Sequence, residues 1–287
     1  MTGPLSPSTW SAPVPLRLAT DESRYGGKAS QLAAAARAGL PVPEGIALEW
    51  LLVDAVAEGD DEALAALHVS TTDFQGGGLA VRSSALGEDS AAASFAGQHL
   101  TCLNVRGPDG LTEAVRTVRD SARSAAALAY RERLGLPGLP GLPRVAVVVQ
   151  ELVVPECAGV LFSRDPLDGS DVLVIEASWG LGEAVVSGLV VPDHYRVRRD
   201  GRVIERTAGM KDLAVEPALV GGTSQVPVPA DRIHRLCLDE TRLESLRELT
   251  ARCEQVFGGT QDLEWAFVAD RLRLLQRRPM TGAVPPH

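Results

Sequence analysis

The sequence predicts a mixed α/β protein, with helices and strands mingled first and a β-rich stretch with one late helix after them. Three observations lead there. Alanine- and leucine-rich runs at helical spacing occupy much of the first half of the chain. The run "RVAVVVQELV" is β-branched and apolar throughout, as a central strand would be. Finally, "DLEWAFVADRLRLLQRRP" (262–279) reads as two strands about a tight turn.

In order, residues 1–19 are rich in Pro and Ser and read as a loose lead-in. In "YGGKASQLAAAARAGLPVP" the pair Gly26–Gly27 opens an Ala-rich helix that places Leu32, Ala35 and Ala36 on one face; Gly39 and the Pro41/Pro43 pair stop it. A second helical region begins at Trp50 and breaks near Gly59. "LAVRSSA" is a strand leading into a loop of Ser, Ala and Gly that runs through Gln98. Val115, Val118, Ala122, Ala126 and Ala129 recur at helical spacing until Gly135, and a stiff "PGLPGLP" connector leads to the central strand. "AGVLFSRD", "DVLVIEASWG" and "DHYRVRRDGRVIERT" are further strands, the last forming a hairpin at Asp200–Gly201. Residues 239–257 read as a helix.

At 287 residues the chain can bury a large core, in one large domain or two to three lobes. Its 45% apolar and 23% charged content is that of an ordinary globular protein, which excludes disorder. A net charge of −9 argues against general binding to nucleic acid or anionic membranes, while leaving room for a local basic pocket. No apolar run is long enough to span a membrane, and the N-terminus lacks the basic and apolar regions of a secretory signal. Cys102, Cys157, Cys237 and Cys253 lack C-x-x-C spacing and suit reduced, buried thiols in a cytoplasmic protein. The five histidines show neither metal spacing nor a defensible Ser/His/Asp pattern.

The closing hairpin carries the strongest chemical signal. Residues i and i+2 of a strand share a face, so Asp262 and Glu264 point together, as do Gln276 and Arg278. A three-residue loop, 269–271, would set Val268 against Leu272, Glu264 against Gln276 and Asp262 against Arg278. Facing residues have Cβ atoms about 4.5–5.5 Å apart, so the four would form one patch. Two carboxylates and an amide oxygen suit a hard cation such as Mg²⁺, completed by substrate phosphates. The alternative is an Asp262–Arg278 ion pair with Glu264 facing solvent.

Three further stretches could contact a ligand. At "YGGKASQ" a Gly pair at a helix start, followed by Lys28, could receive an anion, although a plain turn has the same composition and the P-loop pattern is absent. Arg82 stands in an apolar strand, where a guanidinium requires a partner or an anion. The small-residue loop beyond it could lie over phosphates or simply be a surface loop. The run Gln150–Glu151–Leu152–Val153 offers backbone groups beside an apolar wall suited to a flat purine, and Gly180–Glu183 turns into a short helix.

Taken together, "GGKASQL…AGLPVPEG", "VRSSALGEDSAAASFAGQHLTCLNV", "VVVQELV…AGVLFSRDP", "EASWGLGEAVVSGLVVPDHY" and "QDLEWAF…LLQRRP" resemble, in order over roughly residues 20–281, the N-terminal ATP-grasp domain of the phosphoenolpyruvate synthase and pyruvate phosphate dikinase family. Rifampin phosphotransferase and the glucan water dikinases share that domain type. The resemblance implies an ATP-grasp fold of two lobes with the nucleotide in the cleft between them. Residues 20–106 would form its first part and 107–287 the remainder. It implies that Lys28 and Arg82 contact the triphosphate, and that Gly97 and Thr101 belong to the phosphate-covering loop. Gln150, Glu151 and Val153 would border the adenine and ribose. Glu264 and Gln276 would hold Mg²⁺ with Asp262 in support, and Arg278 would bind the terminal phosphates.

Two departures bear on function. The segment between Lys28 and Arg82 is short for the family, so its helical part would be trimmed. The family's swivelling domain with a phosphorylatable His, and its acceptor domain, have no counterpart; after the Gly-Gly-Thr of "VGGTSQV" no His occurs before His234, which is expected in a helix. The resemblance therefore implies an ATP-dependent phosphotransferase component that passes phosphate to a His on a separate carrier protein, yielding AMP and phosphate. Alternatives are a free-standing kinase or ligase acting on a small molecule, and a non-catalytic nucleotide-binding regulatory module. The Met1 start and the ending "TGAVPPH" suit a natural stand-alone chain.

Overall fold

The computed structural model describes residues 10–74, 77–85, 100–124 and 143–280. It is a mixed α/β structure whose sheets are antiparallel, and it divides into two compact units. The packing divides at Leu152/Val153, with residues 34–43 joining the second unit.

The first unit carries a five-stranded sheet in the order β1-β2-β5-β3-β4, comprising β1 (Val14–Pro15), β2 (Gly45–Leu48), β3 (Leu79–Ala85), β4 (Thr101–Val105) and β5 (Val145–Glu151). The expected central strand is β5, the middle strand. Residues 14–18 are not a loose lead-in: Val14 and Pro15 pair with Ala47 and Ile46, a 3-10 turn follows, and Leu16 is buried. Helices α2 (Trp50–Glu58), α3 (Asp61–Ser70) and α4 (Gly107–Ala122) cover one face of the sheet. The break between α2 and α3 is Gly59 in the left-handed region, and Asp60 caps α3 by accepting from the Ala63 N–H. Leu52, Val53, Val56, Leu67, Val115 and Val118 pack there against Val81, Val147 and Val149. α4 ends at Ala122, capped at Arg123, short of the expected stop at Gly135; residues 125–142 lie outside the described residues.

The second unit carries a six-stranded sheet in the order β13-β12-β6-β7-β8-β9: β6 (Cys157–Phe162), β7 (Val172–Trp179), β8 (Asp193–Arg198), β9 (Val203–Thr207), β12 (Gln261–Val268) and β13 (Arg271–Pro279). A separate hairpin, β10 (Leu213–Pro217) and β11 (Thr223–Pro227), occupies the stretch holding "VGGTSQV", where no strands were expected. The short helix α5 (Glu183–Val186) follows the Gly180–Gly182 turn, and α6 (Glu240–Phe257) is capped by Asp239. His234 stands in a turn, not a helix, its Nδ1 2.9 Å from the Gly209 carbonyl oxygen.

Leu263, Trp265 and Phe267 face the core with Leu161, Ile175, Tyr195 and the apolar side of α6. Buried among them, Asp193 accepts from Lys211 Nζ and from the Gly209 and Cys237 N–H groups, with both side chains fully enclosed. All four cysteines are free. Burial raises the Cys157 and Cys253 thiols to about 12, so both stay protonated at neutral pH. Lys211→Met should strand the Asp193 charge and destabilise the protein by about 3–5 kcal/mol in urea unfolding; a loss below about 1 kcal/mol would show that the pair contributes little.

Candidate functional site

The closing hairpin has two registers joined by a β-bulge. Near the turn, Val268 faces Arg271, Phe267 faces Leu272 and Trp265 faces Leu274, so the loop is the two residues Ala269–Asp270. The expected three-residue loop, with Val268 against Leu272, is incorrect. The ladder then shifts between Glu264 and Trp265, and beyond it Glu264 faces Gln276 and Asp262 faces Arg278, as expected.

The hydrophobic pattern explains both halves. An unbroken three-residue-loop register would turn Leu272 and Leu274 away from the core and push Arg273 into it. The two-residue turn keeps Leu274 buried with Leu272 packed against the same core. Gln276 would then follow Leu274 onto the core face, because i and i+2 share a face. One extra residue at Leu275 reverses the alternation and sends Gln276 and Arg278 to the side of Asp262 and Glu264. Arg277 consequently points coreward, stacked over the Phe257 ring at 4.2 Å and donating through Nε to Gln261 Oε1 at 2.5 Å. At the other end, Arg242 donates to the Ala269 carbonyl (3.3 Å) and to Glu156 (2.5 Å), tying the turn to α6.

On the far face from the core, Arg278 bridges both carboxylates: Nε lies 3.2 Å from Asp262 Oδ2 and Nη2 lies 3.2 Å from Glu264 Oε1. The ion pair weighed in the sequence is present, but Glu264 shares in it instead of facing solvent. The three side chains are about one-fifth exposed, at 20%, 20% and 22%. Gln276 is buried beside them. The donor set fits a hard divalent cation: two carboxylates and an amide oxygen share one face, and a guanidinium already lies where positive charge is favoured. Among the described residues no group of three or more His, Cys, Asp and Glu stands ready for a metal, so oxygens from a ligand would complete the coordination.

The same row of the sheet continues from Glu264 through Val160 to Glu176 and His194. Neither of the last two was singled out as a site residue. Glu176 carried the signal that drew attention to Glu264, a carboxylate inside an apolar strand.

In the first unit, Arg82, Thr101 and Gln150 share the sheet face turned away from α2, α3 and α4. Arg82 faces Thr101 across β4 and Val148 across β5, while Gln150 faces Ala80. Arg82 and Gln150 are buried. Glu151 alternates to the opposite face and is exposed; Val153 lies in irregular chain at the start of the second unit. Gly97 lies outside the described residues.

Lys28 stands on α1 (Glu22–Arg37), which is interrupted at Gly26 (φ 76°, ψ 172°), so the Ala-rich part begins at the glycine pair. The interruption is a close approach: a Cβ at Gly26 would fall 2.0 Å from the Ser84 carbonyl oxygen. The next turn is bound to the same strand, with Lys28 Nζ donating to the Ser83 carbonyl at 2.9 Å and the Ala29 N–H donating to Ser84 Oγ at 2.9 Å. The ammonium is thereby held against the strand that carries Arg82. Gly26→Ala should cost about 2–4 kcal/mol in thermal or urea unfolding, through both the clash and the positive φ; wild-type stability would show that the contact can relax.

Comparison with known proteins supplies the family. The sequence model described as pyruvate phosphate dikinase, AMP/ATP-binding domain, matches residues 52–284. Rifampicin phosphotransferase of Streptomyces sviceus is 41% identical over 234 residues, covering 81% of this chain and 27% of that protein. A probable phosphoenolpyruvate synthase of Methanothermobacter thermautotrophicus is 41% identical over 204 residues, covering 71% of this chain and 29% of that protein. The chain thus spans little more than a quarter of the length of these relatives. Among solved structures, the D-alanine–D-alanine ligase of Bacillus anthracis is similar with a TM-score of 0.42 at 11% identity, over 90% of this chain and 57% of that chain, a likeness too slight to carry an argument. With the match extending over most of its length, the chain belongs to the pyruvate phosphate dikinase AMP/ATP-binding domain family.

Proposed function

We propose that this chain is an ATP-grasp, ATP-dependent phosphotransferase component that passes a phosphoryl group to a His on a separate carrier protein. The observation that carries the reading is the closing hairpin, whose bulge gathers Asp262, Glu264, Gln276 and Arg278 on one face. Family membership supports ATP as the nucleotide. The likeness to a rifampicin phosphotransferase and a probable phosphoenolpyruvate synthase supports phosphoryl transfer.

In this reading Glu264 and Gln276 hold Mg²⁺, with Asp262 in support. The ion, when bound, supplies positive charge against the phosphoryl oxygens. Lys28 and Arg82 neutralise the triphosphate, Arg278 binds its terminal phosphates, Gly97 and Thr101 cover them, and Gln150, Glu151 and Val153 border the base and ribose. Phosphoryl transfer demands little covalent work from a protein; positioning and charge neutralisation provide most of the acceleration, and these residues supply both. In the dikinase version two phosphoanhydride bonds break. One phosphoryl group goes to water and one to an imidazole nitrogen of the carrier, leaving AMP. A cytoplasmic setting, supported by the four free thiols, belongs to the same proposal.

Incubation with ATP, Mg²⁺ and a candidate His-bearing carrier should yield AMP and phosphohistidine, whereas ADP as the sole nucleotide product would overturn the dikinase version. Glu264→Ala should lower turnover about a hundredfold or more with the fold intact by circular dichroism; turnover near the wild-type rate would remove the hairpin from the chemistry.

A further inference from the structure

In the described state the positive charge between Asp262 and Glu264 belongs to the protein itself. Arg278 reaches both carboxylates at once, Nε to Asp262 and Nη2 to Glu264, each at 3.2 Å. The carboxylates stand at i and i+2 on one strand face, where their like charges repel. The guanidinium spans the two, donating through Nη2 to Glu264 and ion-paired through its Nε side with Asp262, a span that the compact charge of a lysine ammonium does not offer. Arg278 therefore neutralises the charge that a divalent cation at Glu264 and Gln276 would neutralise, and the two cations compete for the same carboxylates.

We infer that Arg278 is a placeholder cation that couples metal binding to nucleotide binding. Phosphate oxygens compete with Asp262 and Glu264 for its guanidinium. Once the arginine turns to the phosphates, the carboxylates are released to the metal, so each ligand favours the other. Linkage makes the coupling reciprocal: the nucleotide raises affinity for the metal by the factor by which the metal raises affinity for the nucleotide. Without nucleotide, the arginine opposes occupation of the site by a free cation, so the metal enters with its phosphates and not ahead of them. Arg277, stacked on Phe257 and bonded to Gln261, fixes the strand on which Arg278 stands.

This inference rests on the hairpin being the metal site, and the experiment separates the two. Mn²⁺ alone, without nucleotide, is titrated into wild-type protein, Arg278→Gln and Arg278→Lys, with bound metal followed by electron paramagnetic resonance and folding checked by thermal melting. Arg278→Gln should bind Mn²⁺ about tenfold more tightly than wild type, equivalent to ~1.4 kcal/mol. Arg278→Lys should fall between the two, because an ammonium neutralises without bridging. The dependence of Mn²⁺ affinity on added ATP, steep in wild type, should flatten in Arg278→Gln. Unchanged or weaker Mn²⁺ binding by Arg278→Gln would overturn the placeholder role, and if that variant fails to fold the same comparison is made with Arg278→Lys. Glu264→Gln decides where such a failure lies. If it abolishes Mg²⁺-dependent ATP binding while the arginine variants gain no Mn²⁺ affinity, only the coupling is wrong. Mg²⁺-dependent ATP binding unaltered by Glu264→Gln would show that the hairpin is not the metal site.

Discussion

The last strand must send Leu272 and Leu274 into the core and Gln276 and Arg278 out of it, although all four would share a face on a regular strand. The bulge between Glu264 and Trp265 resolves this conflict, and the composition of the site depends on it. Burying a leucine contributes roughly 1.5–3 kcal/mol, and an amide or guanidinium turned into an apolar core without partners costs several more. A ladder without the bulge would incur one penalty or the other, whereas one unpaired residue avoids both. Arg242 at the turn and the Arg277–Gln261 link at the open end hold the hairpin on either side of that shift. Two arginines thus serve the strand's geometry and a third, Arg278, meets the carboxylates.

The first unit gathers its buried polar side chains by a different route. There the β3–β4 ladder also shifts register, between Leu79 and Val81, and the further constraint lies in the approach of α1. Gly26 lets the helix start touch the Ser84 backbone, and Lys28 is held to the neighbouring Ser83 carbonyl. Arg82 and Gln150 share a face through the unbroken alternation of β3 and β5, and Thr101 joins them as the direct partner of Arg82 beyond the β3–β4 shift. A buried cation on the helix and another on the strand suit a polyanion, as the family's nucleotide requires.

Much of this was legible in the sequence because the signals were periodic or punctuated. Gly59, Asp200–Gly201 and the Gly26–Gly27 pair marked the breaks they make. The facing pairs Glu264/Gln276 and Asp262/Arg278 were found through a loop one residue too long; the error cancelled because the bulge adds back the residue that the shorter turn removes. Alternation reveals which face a side chain takes only while the ladder is regular, so a bulge becomes visible when the buried leucines are matched to their partners. The β10–β11 hairpin escaped notice because neither strand alternates cleanly and only two of its residues are buried. The internal pair Asp193–Lys211 gave no sequence signal, since charges 18 residues apart say nothing of meeting in a core. Arg278 as a bridge to both carboxylates was likewise out of reach, because register places Cβ atoms and not guanidinium groups.

The central claim is that the far face of the closing hairpin holds the metal that meets the nucleotide's phosphates. Crystals grown with Mn²⁺ and a non-hydrolysable ATP analogue test it most directly, because anomalous scattering locates the ion independently of any assumption about the site. The account predicts a peak coordinated by a Glu264 carboxylate oxygen and the Gln276 amide oxygen, with the Arg278 guanidinium moved from Asp262 and Glu264 to phosphate. An ion bound elsewhere, with Arg278 still bridging the two carboxylates, would contradict it.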